Sequence, residues 1–264
     1  MSVLTFRLAA MSVKASAANR VDFLSRIAIG AVTQVAVVVF ATVLITRFPG
    51  MGGWAQGDVL LIVAIRMSGH ALAVAFFVGL RLVARLARTG NIDALLLRPL
   101  PVYRQVLLAF FHVPVIGDLI VAAVLTATAL AHLTVDWTPW RVGYLACAIV
   151  GAMLLEAAVQ TFLGGFAIRS SGAKLWQEWV EELMATFGSY PLHILPDVAR
   201  AAFTFLLPVA FAAYLPAAVL TGHTTGLPVP GWAAAAAPGV GLLLFLAARQ
   251  WWNRQLARYE SAGG

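Results

Sequence analysis

The chain has 264 residues, of which 61% are hydrophobic and 11% are charged, and its formal net charge is +7. This composition excludes an ordinary soluble globular protein, in which about a quarter of the residues are charged. A single cysteine, Cys147, excludes a disulfide framework and a thiolate metal site. We therefore interpret the sequence, 1–264, as one all-α integral membrane domain, long enough for about six spans of roughly 20 residues.

The amino-terminal residues 1–26 predict an amphipathic helix in the membrane interface. They mix apolar side chains such as Phe6 with basic ones such as Arg7, and they hold no unbroken apolar run of the kind found in a cleavable signal peptide. A helical bundle over 27–250 and a cytoplasmic tail over 251–264 are predicted to follow.

Five apolar runs are long enough, or nearly so, to cross a membrane. They are 27–46, 59–80, 111–135, 142–168 and 231–250.

The remaining span is ambiguous between two segments. Residues 203–220 are apolar but contain Pro208 and Pro216, which break a helix and leave backbone groups that lipid cannot satisfy. The preceding segment, 171–190, is rich in carboxylates, so it either lies at the cytoplasmic surface or crosses inside a bundle. Both alternatives place the loop 221–230 outside.

The distribution of Lys and Arg predicts the orientation, because these residues are retained on the cytoplasmic side. Fourteen of the eighteen Lys and Arg residues lie in four segments: before the first span, in the loop after the second span, after the fourth span, and at the end of the chain. Three others, Arg47, Arg141 and Arg200, fall on the opposite side. Both termini are therefore predicted to be cytoplasmic, and the positive charge is explained by topology and anionic lipid rather than by nucleic acid.

The cytoplasmic loop 89–101, TGNIDALLLRPLP, predicts a short amphipathic helix. Ile92, Leu95 and Leu96 have the spacing of one helical face, Asn91 or Asp93 is available as the N-cap, and Pro99 ends the turn. Such a helix either rests in the lipid headgroups or docks on a cytoplasmic partner.

Two segments and the end of the chain carry a family resemblance. GNIDALLLRPLPVYRQVL resembles the loop between the second and third spans in permeases of type-two ATP-binding-cassette (ABC) exporters, particularly their bacterial two-gene branch. The segment 190–222, YPLHILPDVARAAFTFLLPVAFAAYLPAAVLTG, is similar to the stretch before their last span, and RYESAG to their carboxyl terminus. The resemblance implies a permease in the bacterial inner membrane that pairs with a second permease chain, identical or a sister chain, and with a separate ATPase dimer.

The resemblance also implies roles for individual residues. The loop would be a coupling helix that contacts the ATPase, and the region before the last span would be an external re-entrant cap, which makes 172–190 the fifth span. ATP and Mg would bind the partner, with no cofactor in this chain. The implied coupling residues are Asn91, Ile92, Asp93, Leu95, Leu96, Arg98 and Pro99, and the implied cap residues are Tyr190, Pro191, Pro196, Pro208, Tyr214 and Pro216.

Ionisable residues inside the clear spans are few: Arg66, Asp118 and Glu156. Such groups face a bundle interior because lipid exposure is costly. The helical rise places Arg66 and Glu156 at depths from which the arginine side chain could reach the carboxylate. The pair would be either a structural bridge between helices or a substrate contact. Asp118 is expected to meet interfacial arginines.

No catalytic or phosphate-binding motif is present in the sequence, so this chain is expected to be a transporter subunit and not an enzyme. Two functions remain open: an ATP-driven exporter permease, and a proton-coupled secondary transporter that uses Glu156 or Asp118 and would need internal inverted repeats.

Overall fold

The computed structural model describes residues 20–47, 54–108, 112–133, 135–170, 173–189 and 191–260. Regular structure in these ranges is helical throughout, which confirms the all-α class. Residues 1–19 of the predicted interfacial helix, and Tyr190 of the predicted cap, lie outside the described residues.

The first half of the chain forms long helices joined by short ones. They are α1 (Arg20–Arg47), α2 (Gln56–Phe77), a 3₁₀ turn (Val78–Leu82), α3 (Val83–Arg88), α4 (Asn91–Leu96), α5 (Val102–Leu108) and α6 (Val115–His132).

The second half contains two long helices, one of intermediate length and a segment of short helices and turns over 191–221, named the broken segment. They are α7 (Pro139–Ala167), α8 (Ala173–Phe187), a 3₁₀ turn (Leu192–Ile194), α9 (Asp197–Ala201), a π turn (Ala202–Leu206), a 3₁₀ turn (Val209–Phe211), α10 (Tyr214–Thr221), α11 (Gly231–Ala235) and α12 (Ala237–Ala257).

Three of the described helical stretches are long and apolar enough to cross a membrane: 56–88, 115–132 and 139–167. They correspond to the predicted spans 59–80, 111–135 and 142–168. The chain is thus a helical membrane protein, whereas the full set of six spans stays a prediction.

Two helices extend across predicted boundaries. Residues 20–26, assigned to the interfacial helix, continue into α1, and residues 251–257, assigned to the tail, continue α12. The location of these residues in the interface and in the tail stays a prediction. Hydropathy predicts where a helix leaves the hydrocarbon core of the membrane. The helix itself can extend further if its side chains pack against other parts of the protein. Trp252, which is 1% exposed, shows such packing beyond the predicted end of the last span.

The stretch 203–220 is not one helix, so the alternative in which it crosses as a continuous fifth span does not match the structure. Pro191, Pro196 and Pro208 each immediately precede a short helix, and Pro216 lies in the first turn of α10. Proline fits these positions because the first turn of a helix leaves backbone N–H groups unused.

The buried side chains form two main clusters at opposite ends of the bundle. One cluster joins the ends of α3, α7 and α12 to α4 and α5, and this end, named the basic end, carries Arg85, Arg88, Arg169 and Arg254. The other cluster joins the start of α2 to α10 and the broken segment. The broken segment therefore packs at the end of the bundle remote from the basic end.

Helix α8 connects these two ends. Ala173 at its start belongs to the cluster at the basic end, and Met184 near its finish belongs to the opposite cluster. Its 15 residues rise about 22 Å. Ala173, Gln177 and Met184 are the buried residues of α8, whereas Leu175, Trp176 and Trp179 are largely exposed. One face of α8 thus packs on the bundle, and its assignment as the fifth span stays a prediction.

Helices α7 and α12 pack with their backbones in close contact. A Cβ atom on Gly151 would lie 2.6 Å from Cα of Pro238, and one on Gly241 would overlap the carbonyl of Gly151. Glycine at these two positions is what permits the contact.

We expect Gly151→Ala to destabilise the protein by about 1–3 kcal/mol, because the added methyl forces two helices apart. The matched control is Gly143→Ala on the same helix, where a Cβ meets nothing within 4 Å. That control should be neutral or stabilising by up to about 1 kcal/mol. Thermal unfolding of both variants in detergent measures the difference, and equal effects would contradict the packing argument.

Candidate functional site

The loop 89–101 folds at the basic end as the short helix α4. Its N-cap is Gly90, with φ of +68°, a conformation that glycine adopts without strain. The predicted N-cap, Asn91 or Asp93, is therefore wrong: Asn91 is the first helical residue, and its amide donates to the Thr89 hydroxyl at 2.7 Å. The helix ends at Leu96, ahead of Pro99, as predicted.

The predicted apolar face of α4 is divided between the interior and the surface. Ile92 is 2% exposed and Leu95 packs against the cluster at the basic end, whereas Leu96 is 48% exposed. Leu97, which the sequence reasoning did not single out, is 89% exposed. Leu96 and Leu97, not Leu95, thus form the accessible apolar surface of the loop, and exposed Arg98 and Pro99 flank it.

A buried glutamine holds the loop against the bundle. The side-chain amide of Gln105, on α5, donates to the carbonyl oxygens of Leu95 at 2.8 Å and Leu100 at 2.6 Å. Together with buried Ile92, these bonds fix both ends of the 95–100 turn. Sequence reasoning missed Gln105 because a polar residue in a loop carries no signal of its own.

We expect Gln105→Leu to destabilise the loop by about 1–3 kcal/mol, because two carbonyl groups lose their donor in a largely buried site. Hydrogen exchange should show faster exchange of the amides between 95 and 105, while those of α7 stay protected. The matched control is Gln250→Leu, an exposed glutamine on α12. Unchanged exchange in the Gln105 variant would refute the anchoring role.

Tyr103 extends this connection from α5 into the long helices. Its hydroxyl shares a 2.9 Å hydrogen bond with Thr161 of α7, and its ring packs edge-on against Trp252 of α12. The Arg249 guanidinium lies 3.5 Å from the ring centroid. Burial raises the pKa of the Tyr103 hydroxyl, opposed by the Thr161 hydrogen bond and by Arg249, so the group stays neutral. Tyr103 thus connects α5, and the loop before it, to α7 and α12.

A buried ion pair joins α2 to α7 in the middle of the bundle. Nη1 of Arg66 donates to Oε2 of Glu156 at 3.0 Å, and both side chains are less than a tenth exposed. The predicted approach of these two residues is confirmed. His70, which lies one turn from Arg66, places its Nδ1 2.7 Å from Oε1 of the same carboxylate. His70 is thus a third member of this buried polar group. The sequence signal for it was the i, i+4 spacing of Arg66 and His70, which places both on one face of α2.

A second polar group connects α8 to the same two helices. Oε1 of Glu181 accepts a hydrogen bond from Gln160 at 2.8 Å and lies 3.2 Å from Nε of Arg81. Gln177 donates to Gln160 at 2.7 Å, and Arg66 donates to the Met184 carbonyl at 3.4 Å. These contacts attach one face of α8 to the bundle through polar side chains.

The other two carboxylates of α8, Glu178 and Glu182, are exposed, and Glu178 pairs with Lys174 at 3.3 Å. Asp118 lies buried in the first turn of α6. Its expected contact with interfacial arginines stays a prediction.

The predicted cap residues that the structure describes lie together at the end remote from the basic end. Tyr214 is buried there, with its ring 5.5 Å from Trp54. Trp54 also stacks on His193 at 5.9 Å and on His223 at 4.6 Å. The broken segment is therefore tied to the loop that precedes α2. No group of three or more His, Cys, Asp or Glu residues in the described part of the chain could hold a metal ion.

Comparison with known proteins agrees with the resemblance seen in the sequence. The family model described as "ABC-2 family transporter protein" matches residues 31–263, which include α4 and the broken segment. Neither the comparison with curated proteins nor that with solved structures gives a significant match. The family match spans most of the chain, and the chain therefore belongs to the ABC-2 family of transporter proteins, as a membrane-spanning permease.

Proposed function

We propose that this permease is the transmembrane subunit of an ATP-driven exporter in the bacterial inner membrane, with both termini cytoplasmic. A second permease chain would complete the substrate pathway, and a separate ATPase dimer, which binds ATP and Mg, would dock on α4. Membership of the ABC-2 family supports an ATPase partner and weighs against the proton-coupled secondary transporter.

The observation that carries the proposal is the exposed pair Leu96 and Leu97. They lie on a turn whose other side is fixed to the bundle. An apolar surface flanked by a cation is typical of a protein interaction site when it is rigidly presented. Ile92 and Gln105 supply the rigidity, since both are buried and contact the bundle. A loop without such anchoring would deform when a partner moved against it. In this proposal the anchored loop instead transmits the movement through Tyr103 to α7 and α12.

The polar contacts of α8 support a crossing helix at 173–187, as the family resemblance implies for the fifth span. In this proposal the broken segment 191–221 forms the external cap, and the Arg66–Glu156 pair is a structural bridge between α2 and α7. Its burial, with Arg66 and His70 both on one carboxylate, favours the structural role over a substrate contact.

The experiment is co-expression of the chain with its genomic neighbours, followed by purification in detergent through a tag on this subunit. We expect a soluble ATPase to copurify in stoichiometric amount and transport in vesicles to require ATP. A well-folded permease that copurifies with no ATPase, and whose transport follows a proton gradient, would overturn the proposal.

A further inference from the structure

An apolar groove opens on the side of the bundle between α7, α8 and α12. Its volume is about 520 Å³, which lies within the roughly 300–1,000 Å³ typical of small-molecule sites. Val159 and Phe162 of α7 form one wall, Ala247 and Trp251 of α12 another, and residues 206–208 of the broken segment close one side.

The groove is preformed by contacts between its walls. The Trp251 indole donates to the Phe162 carbonyl at 3.2 Å, and the two rings stack with centroids 5.1 Å apart. The rim residue Leu206 is 85% exposed. A concave apolar surface on the side of a membrane-spanning bundle is suited to a flexible hydrocarbon chain, which buries its CH₂ groups there.

Polar lining is confined to the carboxyl-terminal part of α12, where Gln250 and Arg254 border the groove. Arg254 is exposed and forms no ion pair with any described residue. It lies at the basic end, where Arg258 and Arg169 add positive charge. The groove is thus apolar along its length and cationic at one end, which complements a molecule with a hydrocarbon tail and an anionic head.

We infer that the groove binds one phospholipid of the adjacent leaflet, with an acyl chain along α7 and α12 and an anionic headgroup on Arg254. The cytoplasmic leaflet is rich in anionic lipid, and near its surface each basic residue contributes to binding. This inference requires that the chain is embedded in a membrane, but it does not depend on coupling to an ATPase.

The test compares phosphatidylglycerol with phosphatidylcholine of identical acyl chains, added to delipidated protein in detergent and counted per chain by native mass spectrometry. The wild type should retain phosphatidylglycerol over phosphatidylcholine by about fivefold. Ala247→Trp should lose both lipids because the indole fills the groove. Arg254→Gln should keep phosphatidylcholine binding and lose the preference.

Two matched controls separate the groove from general effects. Leu242→Trp adds an indole at a half-exposed position on another face of the same helix, outside the groove. Arg258→Gln removes an exposed arginine that does not line the groove. Both should bind lipid as the wild type does. Full lipid retention in Ala247→Trp, an unchanged preference in Arg254→Gln, or an equal loss in Arg258→Gln would overturn the inference. The inference would also be overturned if Ala247→Trp converted a dimer to monomers without loss of lipid, since the groove would then be a protein interface.

Discussion

Replacement of Leu96 and Leu97 by aspartate is expected to abolish ATP-driven transport while the permease still inserts and folds. Leu97 is largely exposed and Leu96 about half exposed, so the substitutions cost little folding energy, whereas a carboxylate cannot enter an apolar groove on a partner. If the pair is a hot spot of the interface, its loss costs about 2 kcal/mol or more, which is roughly a 30-fold weaker ATPase complex. Retention of the ATPase on the tagged permease measures this directly.

The matched control is the Leu96→Met, Leu97→Met double variant, which keeps an apolar surface and should retain both ATPase and flux. Leu95→Asp is a poor test of docking, because Leu95 packs on the bundle and its substitution would disturb folding. Wild-type ATPase retention and transport in the double aspartate variant would show that α4 merely rests against lipid headgroups.

Glu156→Gln is expected to destabilise the permease by about 3–5 kcal/mol. Removal of one partner from a buried ion pair leaves the other charge uncompensated, and here the Arg66 guanidinium would remain in a site that is less than a tenth exposed. Thermal unfolding in detergent measures the loss, and unchanged stability would mean that the bridge contributes nothing.

The double variant Arg66→Met, Glu156→Leu separates a structural role from a functional one. Replacement of both charges by apolar side chains of similar size is often neutral or stabilising. If the pair is only a bridge, the double variant should regain stability and transport together. Restored stability without transport would instead assign a role in the substrate pathway to this pair.

Much of the fold could be predicted from the sequence, because the membrane imposes a simple rule on helix length and on charge placement. The apolar runs at 59–80, 111–135 and 142–168 correspond to long helices within a few residues. The approach of Arg66 to Glu156 followed from helical rise alone, since straight helices convert residue number into depth.

The details of the candidate site depend on tertiary contacts that no local pattern encodes. The spacing of Ile92, Leu95 and Leu96 fits one helical face, yet a six-residue helix beside a bundle buries part of that face and exposes Leu97 beyond its end. Likewise the carboxylates of α8 appeared dense for a membrane span. The structure leaves Glu178 and Glu182 exposed and pairs Glu181 with Arg81, a hundred positions away in the sequence, which no local pattern shows.

The glycine contact between α7 and α12 bears on how the permease changes shape. Helices that meet backbone to backbone at Gly151 and Gly241 cannot slide past each other without collision. We therefore expect these two helices to move together when the permease changes shape, and the contact of Tyr103 with Trp252 connects them to the loop. We expect the hinges to lie elsewhere, at the backbone breaks of Pro191, Pro196 and Pro208 in the broken segment.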